Sequence, residues 1–202
     1  DAEVVWAEAE GAYAGVQMRR TVLWREPYFL DLFRVRCASP RQLDWVFRFR
    51  GRRAGAVAGT VLQEALCGDG YGHIADACAL EARSPLQLGW RWPGGGVELF
   101  LPDAGDAARI LGTAPHNPSS ETTDILLRRR RGHDALFVAL FHPFRGDGPS
   151  VRRVTALPGA GPEALALAVD TDSAREVWLL GASPSLADSP VPGADRVYRY
   201  PL

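Results

Sequence analysis

Residues 28–51 decide the fold, and their sequence is YFLDLFRVRCASPRQLDWVFRFRG. Every second position from 43 to 49 carries a large apolar side chain, namely Leu43, Trp45, Phe47 and Phe49. The positions between and after them are Asp44, Val46, Arg48 and Arg50. Because side chains alternate between the two faces of a β-strand, this pattern predicts one buried face and one charged face. We therefore predict two long amphipathic strands, at 28–36 and 42–50, joined by a turn at Ser39-Pro40.

Positive charge is concentrated around the same stretch. Ten arginines lie between residues 19 and 53 against three acidic residues, although the whole chain has 23 basic and 24 acidic residues. These arginines are Arg19, Arg20, Arg25, Arg34, Arg36, Arg41, Arg48, Arg50, Arg52 and Arg53. The chain has no lysine, a bias typical of a GC-rich bacterial genome. Guanidinium groups also bind carboxylate and sulfate groups through paired hydrogen bonds.

Strand signals separated by turns rich in Gly, Pro and Ser recur along the rest of the chain. About fifteen such segments predict an all-β fold, an antiparallel two-sheet β-sandwich of many short strands. The length of 202 residues suits a single domain, 1–202. Because the first residue is Asp1, we expect this domain to be a fragment of a longer chain. The segment 182–195 is rich in Pro, Ser and Ala, which predicts a loop or tail. The one helical candidate is 61–66.

Composition argues against several classes of protein. With 47% apolar and 23% charged residues, the chain is typical of a soluble globular protein. It has no apolar run of the roughly 20 residues that cross a bilayer, so we expect no membrane partner. The net charge of -1 argues against nucleic-acid binding. Three cysteines without a CxxC spacing and four scattered histidines predict no metal site, and we expect no cofactor.

Short motifs in two regions carry a family resemblance. Within residues 4–51 they are Ala-Tyr13-Ala-Gly15-Val16, Arg20-Thr21-Val22-Leu23, Tyr28-Phe29-Leu30-Asp31 and Asp44-Trp45-Val46-Phe47. Within residues 126–143 they are LLRRRRG at 126–132, ALFV at 135–138 and HP at 142–143. In their order and spacing, these motifs resemble the carboxyl-terminal β-sandwich domain of heparinase II/III-like polysaccharide lyases.

The resemblance implies part of a carbon-oxygen lyase, periplasmic or secreted, that cleaves acidic polysaccharide such as alginate or heparan sulfate by β-elimination. Such lyases pair the sandwich with an amino-terminal α/α toroid. The sandwich residues that serve the chemistry and a structural zinc lie in His-x-His, Asp-x-Gly and His-Asn segments, which would precede Asp1. His116-Asn117 lies outside that context, and Arg48 stands where relatives often have histidine. We therefore assign no catalytic residue within this chain.

Candidate substrate-binding residues come from the arginine-rich region. Neighbouring antiparallel strands are expected to bring Arg19, Arg25, Arg34, Arg36, Arg48 and Arg50 onto one sheet face. That face could bind carboxylates, or it could be a solubilising surface whose charges pair with Asp44, Asp31 and Glu26. Tyr13 could stack on a sugar ring or pack as a corner tyrosine. The substrate-binding set is Arg48, Arg50, Arg19, Arg34, Arg36, Asp44 and Tyr13, and we interpret Arg128–Arg131 as a solvated hairpin end.

Two hypotheses of function follow. In the first, the chain is the β-sandwich portion of a heparinase II/III-like lyase, with an acidic polysaccharide and the missing toroid domain as its partners, and it is inactive without that toroid. In the second, it is a stand-alone carbohydrate-binding or structural β-sandwich module. Both place an acidic glycan against arginines near the amino end.

Overall fold

The computed structural model describes residues 2–62, 66, 70–81, 85–102, 107–118, 120–146, 148–157, 164–181 and 193–200. These residues form fourteen strands: β1 (Glu3–Ala9), β2 (Val16–Arg25), β3 (Tyr28–Phe49), β4 (Arg52–Ala54), β5 (Gly59–Val61), β6 (Ala75–Leu80), β7 (Leu86–Trp92), β8 (Gly95–Leu101), β9 (Ala108–Pro115), β10 (Thr122–Arg145), β11 (Val151–Leu157), β12 (Leu165–Thr171), β13 (Arg175–Leu180) and β14 (Arg196–Tyr200). The predicted loop at 182–195 falls outside the described residues up to 192. The predicted helix at 61–66 begins on the last residue of β5, and its residues 63–65 also fall outside.

The strands form two sheets. The large sheet has the order β1-β2-β3-β10-β8-β7-β4. β9 pairs with the same edge of β10 as β8 but at the opposite end of the strand, and β6 and β5 follow β9. The small sheet has the order β11-β12-β13-β14. Every recorded pairing is antiparallel except the one between β13 and β14. The prediction of an all-β antiparallel sandwich is confirmed.

Two strands are much longer than predicted. β3 has 22 residues and β10 has 24, and they pair with each other from Asp124↔Phe49 to Phe141↔Phe29. The prediction of a hairpin turn at Ser39-Pro40 was wrong, because β3 continues through it. At this point residues 37–40 of β3 face only His133 of β10, between the pairs Gly132↔Arg41 and Asp134↔Arg36. Proline is tolerated there because an extra-residue bulge already interrupts the hydrogen-bond ladder.

The bulge is a corner at which β3 and β10 fold back over themselves. Trp45 Nε1 donates a hydrogen bond of 3.1 Å to Asp31 Oδ2, fourteen residues earlier on the same strand. A straight strand would hold these two residues about 45 Å apart. The rings of Phe47 and Phe141 are also brought together, at a centroid distance of 4.6 Å. The inner face of the large sheet therefore closes on itself.

The space inside this fold is filled by aromatic rings. Leu43, Trp45 and Phe49 are buried there and Phe47 packs against them, so the predicted apolar face of the second half of β3 is confirmed. Consecutive ring contacts link Trp24, Phe29, Phe141, Phe47, Phe49 and Trp90. Each ring contributes a large buried area and prefers stacked or tilted packing, so this series stabilises the corner.

A second core joins the two sheets. The large sheet contributes Leu23, Tyr28, Leu30, Leu32, Phe100, Val138 and Leu140. They pack against Val154, Leu167, Val169, Trp178 and Leu180 of the small sheet. Within this core, the Tyr28 hydroxyl donates to Glu176 Oε2 at 2.5 Å and accepts from Trp178 Nε1 at 2.8 Å. Arg25 donates to the other oxygen of Glu176 at 2.8 Å. Burial and the hydrogen bond to Glu176 raise the pKa of Tyr28 well above its usual value.

Replacing Tyr28 by Phe should destabilise the protein by about 1–3 kcal/mol, because it removes one partner each from a buried carboxylate and a buried indole N–H. Tyr200→Phe is the matched control, since no side-chain hydrogen bond from Tyr200 to another described residue is recorded, and it should change stability by less than about 0.5 kcal/mol. Urea denaturation followed by tryptophan fluorescence measures both. Equal stability of the two variants would contradict this view of the interface.

Candidate functional site

The corner in β3 divides the arginines that were predicted to share one face. Even-numbered side chains of β3 lie on the face opposite the aromatic core, as the alternation predicted. At the start of the strand this face is buried against the small sheet by Tyr28, Leu30 and Leu32, and Arg36 and Arg48 on it are exposed. Because the strand folds back on its inner face, the outer faces of its two halves point away from each other. Arg34 and Arg36 lie before the corner, and Arg48 and Arg50 lie after it. The structure therefore forms two arginine groups where one was expected.

The first group lies on the outer face of β2 and the first half of β3. Arg19, Arg34 and Arg36 line a shallow depression together with Glu8, Glu10 and Gln17. Arg19 pairs with Glu8 at 3.4 Å, and its guanidinium lies 5.3 Å from the ring centroid of Trp6. Arg36 lies 4.0 Å from Asp134. Acidic side chains thus neutralise part of this surface, in exposed pairs of low energy.

The second group combines two arginines with two histidines. Arg48 donates to the carbonyl of Pro115 at 2.7 Å, and its second terminal nitrogen lies 3.2 Å from His73 Nε2. Arg50 Nε donates to His116 Nε2 at 3.1 Å. Guanidinium groups only donate, so the imidazole nitrogens that face them are the acceptors. Within the described residues, the structure records no ion pair for Arg48 or Arg50, so their charges remain available to an anion.

Arg25 belongs to neither group. Its side chain lies between the two sheets, where it donates to Glu176 at 2.8 Å and to the hydroxyl of Tyr198 at 2.5 Å. The expectation that it would join the exposed face was wrong. Its role is to hold the small sheet against the large one.

A cleft of about 340 Å³ opens beside the corner. Its walls carry the apolar side chains Val16, Met18, Phe33, Val35 and Leu43, and its rim carries the polar side chains Tyr13, Arg41, Gln42, Asp44 and Tyr71. Tyr13 is 62% exposed there. The structure thus brings together Tyr13 and Asp44, two members of the predicted substrate-binding set that lie 31 positions apart in the sequence.

Asp44 organises one side of this cleft. Its two carboxylate oxygens accept hydrogen bonds of 2.9 Å each from Arg129, and Tyr71 and Gln42 donate to it as well. Burial and the hydrogen bond to Asp44 raise the pKa of Tyr71. Tyr71 therefore stays protonated near neutral pH and acts as a donor, which does not suit it to serve as a general base.

In Asp44→Asn, the pKa of Tyr71 should fall toward its ordinary value, because the carboxylate that favours the protonated phenol is gone while Arg129 remains. Carbon-13 NMR of ring-labelled tyrosine across alkaline pH measures this, with Tyr71→Phe used to assign the signal. Asp172→Asn, which removes an exposed carboxylate paired with Arg152, is the control and should leave the signal unchanged. An unaltered Tyr71 titration in Asp44→Asn would show that the contact does not form in solution.

The run Arg128–Arg131 is not a solvated hairpin end, because β10 continues through Gly132. Arg128 is completely buried, lies near the rings of Trp45 and Phe137 at 6.0 and 5.5 Å, and donates to the carbonyl of Val138 at 2.8 Å. Side chains alternate between the two faces of β10 along the run. Arg130 lies over Phe137 on the inner side, whereas Arg129 lies over Tyr71 on the outer side.

Four residues near these sites were not predicted from the sequence: Tyr71, His73, His116 and Arg129. Their partners are distant in the chain, and no local pattern places them beside those partners. His142, near the end of β10, is 1% exposed. It lies 2.9 Å from the carbonyl of Pro27 and accepts from the amide of Ser150 at 2.8 Å, and burial lowers its pKa.

Two kinds of feature are absent from the described part of the chain. No group of three or more His, Cys, Asp or Glu side chains there is placed to hold a metal ion. No helix there is long and apolar enough to cross a membrane.

Comparison with known proteins gives structural matches only. No protein-family model matches the chain, and no curated protein matches it. Among solved structures, heparan sulfate lyase HepC from Pedobacter heparinus superimposes with a TM-score of 0.57 at 11% identity, covering 89% of this chain and 26% of the lyase. A mutant of the same lyase gives a TM-score of 0.55 at 10% identity, with 87% and 25% covered. The chain thus shares the fold of a part of that lyase and spans about a quarter of its length.

Proposed function

We propose that this chain is the β-sandwich portion of a bacterial heparinase II/III-like polysaccharide lyase that cleaves acidic, uronate-containing polysaccharide by β-elimination. In this proposal residues 1–202 form one domain, the catalytic residues lie outside it, and the domain is inactive without its toroid. Support comes from the fold shared with part of a heparan sulfate lyase. The sequence motifs described above point to the same family.

The observation that carries the proposal is the pair Arg48 and Arg50. Arg48 is exposed on β3 and Arg50 is exposed one residue after the strand ends, and each guanidinium is oriented by a hydrogen bond to a histidine. No ion pair within the described residues neutralises either of them. Oriented donors with an unneutralised charge bind carboxylate and sulfate groups more strongly than freely rotating side chains, because less freedom is lost on binding.

The chemistry of β-elimination gives this charge a role. Removal of the proton next to a uronate carboxylate leaves negative charge on that carboxylate, and positive groups beside it stabilise the developing anion. A base and an acid, supplied by another part of the protein, would move the protons. In this scheme Arg48 and Arg50 hold the polysaccharide. Arg19, Arg34, Arg36, Asp44 and Tyr13 lie on other surfaces of the domain and are proposed to contact more distant sugar units of the same polysaccharide.

Retention on immobilised alginate and on immobilised heparin tests the role of the arginine pair. The wild-type chain should be retained at low salt and released by added salt. The anionic groups of these glycans attract guanidiniums electrostatically, and dissolved ions screen that attraction. Arg48→Ala/Arg50→Ala should weaken binding by about tenfold or more, the effect of losing charged hydrogen bonds. The control Arg152→Ala/Arg153→Ala removes the same charge from β11 and should bind like the wild type. Equal elution of the two double variants would refute the role given to Arg48 and Arg50.

Absorbance of unsaturated uronate products tests the inactivity of the isolated domain. With alginate or a glycosaminoglycan, the 202-residue chain should produce no more absorbance than a blank. A rate above the blank would mean that the catalytic groups lie within this chain.

Binding without turnover agrees equally with a stand-alone carbohydrate-binding module, the second candidate. That candidate would be favoured if the chain is expressed naturally without a toroid.

A further inference from the structure

Another concave surface, lined by no member of either arginine group, lies at the end of the large sheet where β2 and β7 finish. Its most unusual feature is a pair of exposed indoles, Trp24 at 44% and Trp92 at 43% exposure. Both side chains line the same groove, which has a volume of about 800 Å³. That volume is within the range of small-molecule sites, about 300–1,000 Å³. Exposed large aromatic side chains that share a concave surface are typical of binding sites.

The groove is formed by turns and by the end of β10. Its other lining residues are Glu26, Pro27, Pro93, Gly94, Pro143, Phe144 and Arg145. The glycines that follow Pro93 are needed here, because a Cβ on Gly95 or Gly96 would lie 2.5 or 2.6 Å from atoms of Phe144. Because Gly95 and Gly96 lack side chains, β8 runs close to β10 and the groove stays open.

The aromatic walls are held in place by the core. Trp24 stacks on Phe29 at 5.8 Å, and Phe29 stacks on Phe141 at 4.9 Å. On the other side, the guanidinium of Arg91 lies 4.7 Å from the ring centroid of Phe144 and is itself paired with Glu98. Rings that are already fixed lose little freedom when a ligand binds. Trp24 and Phe144 are therefore preorganised.

The groove also carries one acid and one base without partners. Glu26 and Arg145 are both exposed, and the structure records no side-chain hydrogen bond or ion pair for either within the described residues. A carboxylate accepts hydrogen bonds and a guanidinium donates them. The combination suits a ligand with several hydroxyl groups, since each hydroxyl both donates and accepts. A purely apolar ligand would leave both charges poorly solvated, at a cost in free energy.

We propose that this groove binds a pyranose ring of a polysaccharide. One face of such a ring presents C–H groups, which pack on the indoles of Trp24 and Trp92, and its edge presents hydroxyls, which bond to Glu26 and Arg145. Arg48 and Arg50 do not line this groove, so its binding does not depend on their role. It would give the domain a second contact with a long glycan, so that two weak contacts act together.

The test is titration of the 202-residue chain with cellotetraose, chitotetraose and an alginate tetrasaccharide, followed by NMR of the indole N–H signals. At least one probe should shift the signals of Trp24 and Trp92. Trp24→Ala and Trp92→Ala should each weaken binding of that probe by about tenfold, in line with the loss of an aromatic contact. Glu26→Gln and Arg145→Gln should weaken it as well.

Trp6→Ala is the matched control, because Trp6 is 56% exposed on β1 but does not line the groove. It should bind like the wild type. Circular dichroism and thermal melting verify folding, and Trp24→Phe, which keeps an aromatic face, should recover part of the binding if Trp24→Ala folds poorly. Cellotetraose and chitotetraose are neutral, whereas the alginate tetrasaccharide is acidic. The probe that shifts the indole signals therefore identifies the kind of pyranose that the groove accepts.

Absence of indole shifts with all three probes would overturn the proposal. So would binding that survives in Trp24→Ala/Trp92→Ala but is lost in Arg48→Ala/Arg50→Ala. That second result would leave the arginine pair as the glycan-binding site, so the two proposals can fail separately.

Discussion

The rest of the structure depends on the pairing of β3 with β10 and on the corner at which both strands fold. All of the larger sheet is built on these two strands, since β2 pairs with the first half of β3 and β8 and β9 pair with opposite ends of β10. The corner is closed by Asp31, which is 1% exposed. It accepts two hydrogen bonds of 2.8 Å from Arg20 and one from Trp45 across the fold. A buried carboxylate is costly unless it is paired and fully hydrogen-bonded, so this arrangement favours the folded-over strand.

The corner also determines where charged groups can act. On the outside of the corner, the two halves of β3 present separate surfaces. Glu8 and Asp134 partly neutralise the surface of the first half. The surface of the second half carries Arg48 and Arg50, which have no recorded ion pair within the described residues. Beside the corner lies the cleft of Tyr13 and Asp44. The aromatic series that fills the corner ends at Trp24, on the wall of the groove at the end of the sheet. A single packing arrangement thus positions every candidate binding surface.

Local sequence information was sufficient for the fold class and for the faces of the strands. The period of two from residue 43 to residue 49 correctly separated buried from exposed side chains, because alternation is a local property of an extended backbone. The lengths of β3 and β10 could not be predicted in this way. Ser39-Pro40 and Gly132 are typical turn residues, and only the partner strand shows that they form a bulge in a continuous strand.

The same limit applies to the sites. Arg48 and Arg50 could be identified from charge and alternation, but the histidines that orient them come from distant segments. Arg128 had every local sign of a surface residue, yet the corner encloses it between aromatic rings. Asp44 was expected to face a ligand or an arginine of its own region, and its strongest partner, Arg129, lies 85 positions away. Contacts of this kind depend on how the sheet folds, which local patterns do not contain.

Backbone NMR of the isotopically labelled chain tests the central claim most directly. If β3 is one strand bent at Ser39-Pro40, cross-strand nuclear Overhauser effects should connect Phe33 with Phe137 and also Val46 with Leu127, the partners in the β3·β10 register. A hairpin at Ser39-Pro40 would instead connect residues on either side of that turn, such as Arg34 with Trp45. Observation of those hairpin contacts, with no contact between Val46 and Leu127, would contradict the account.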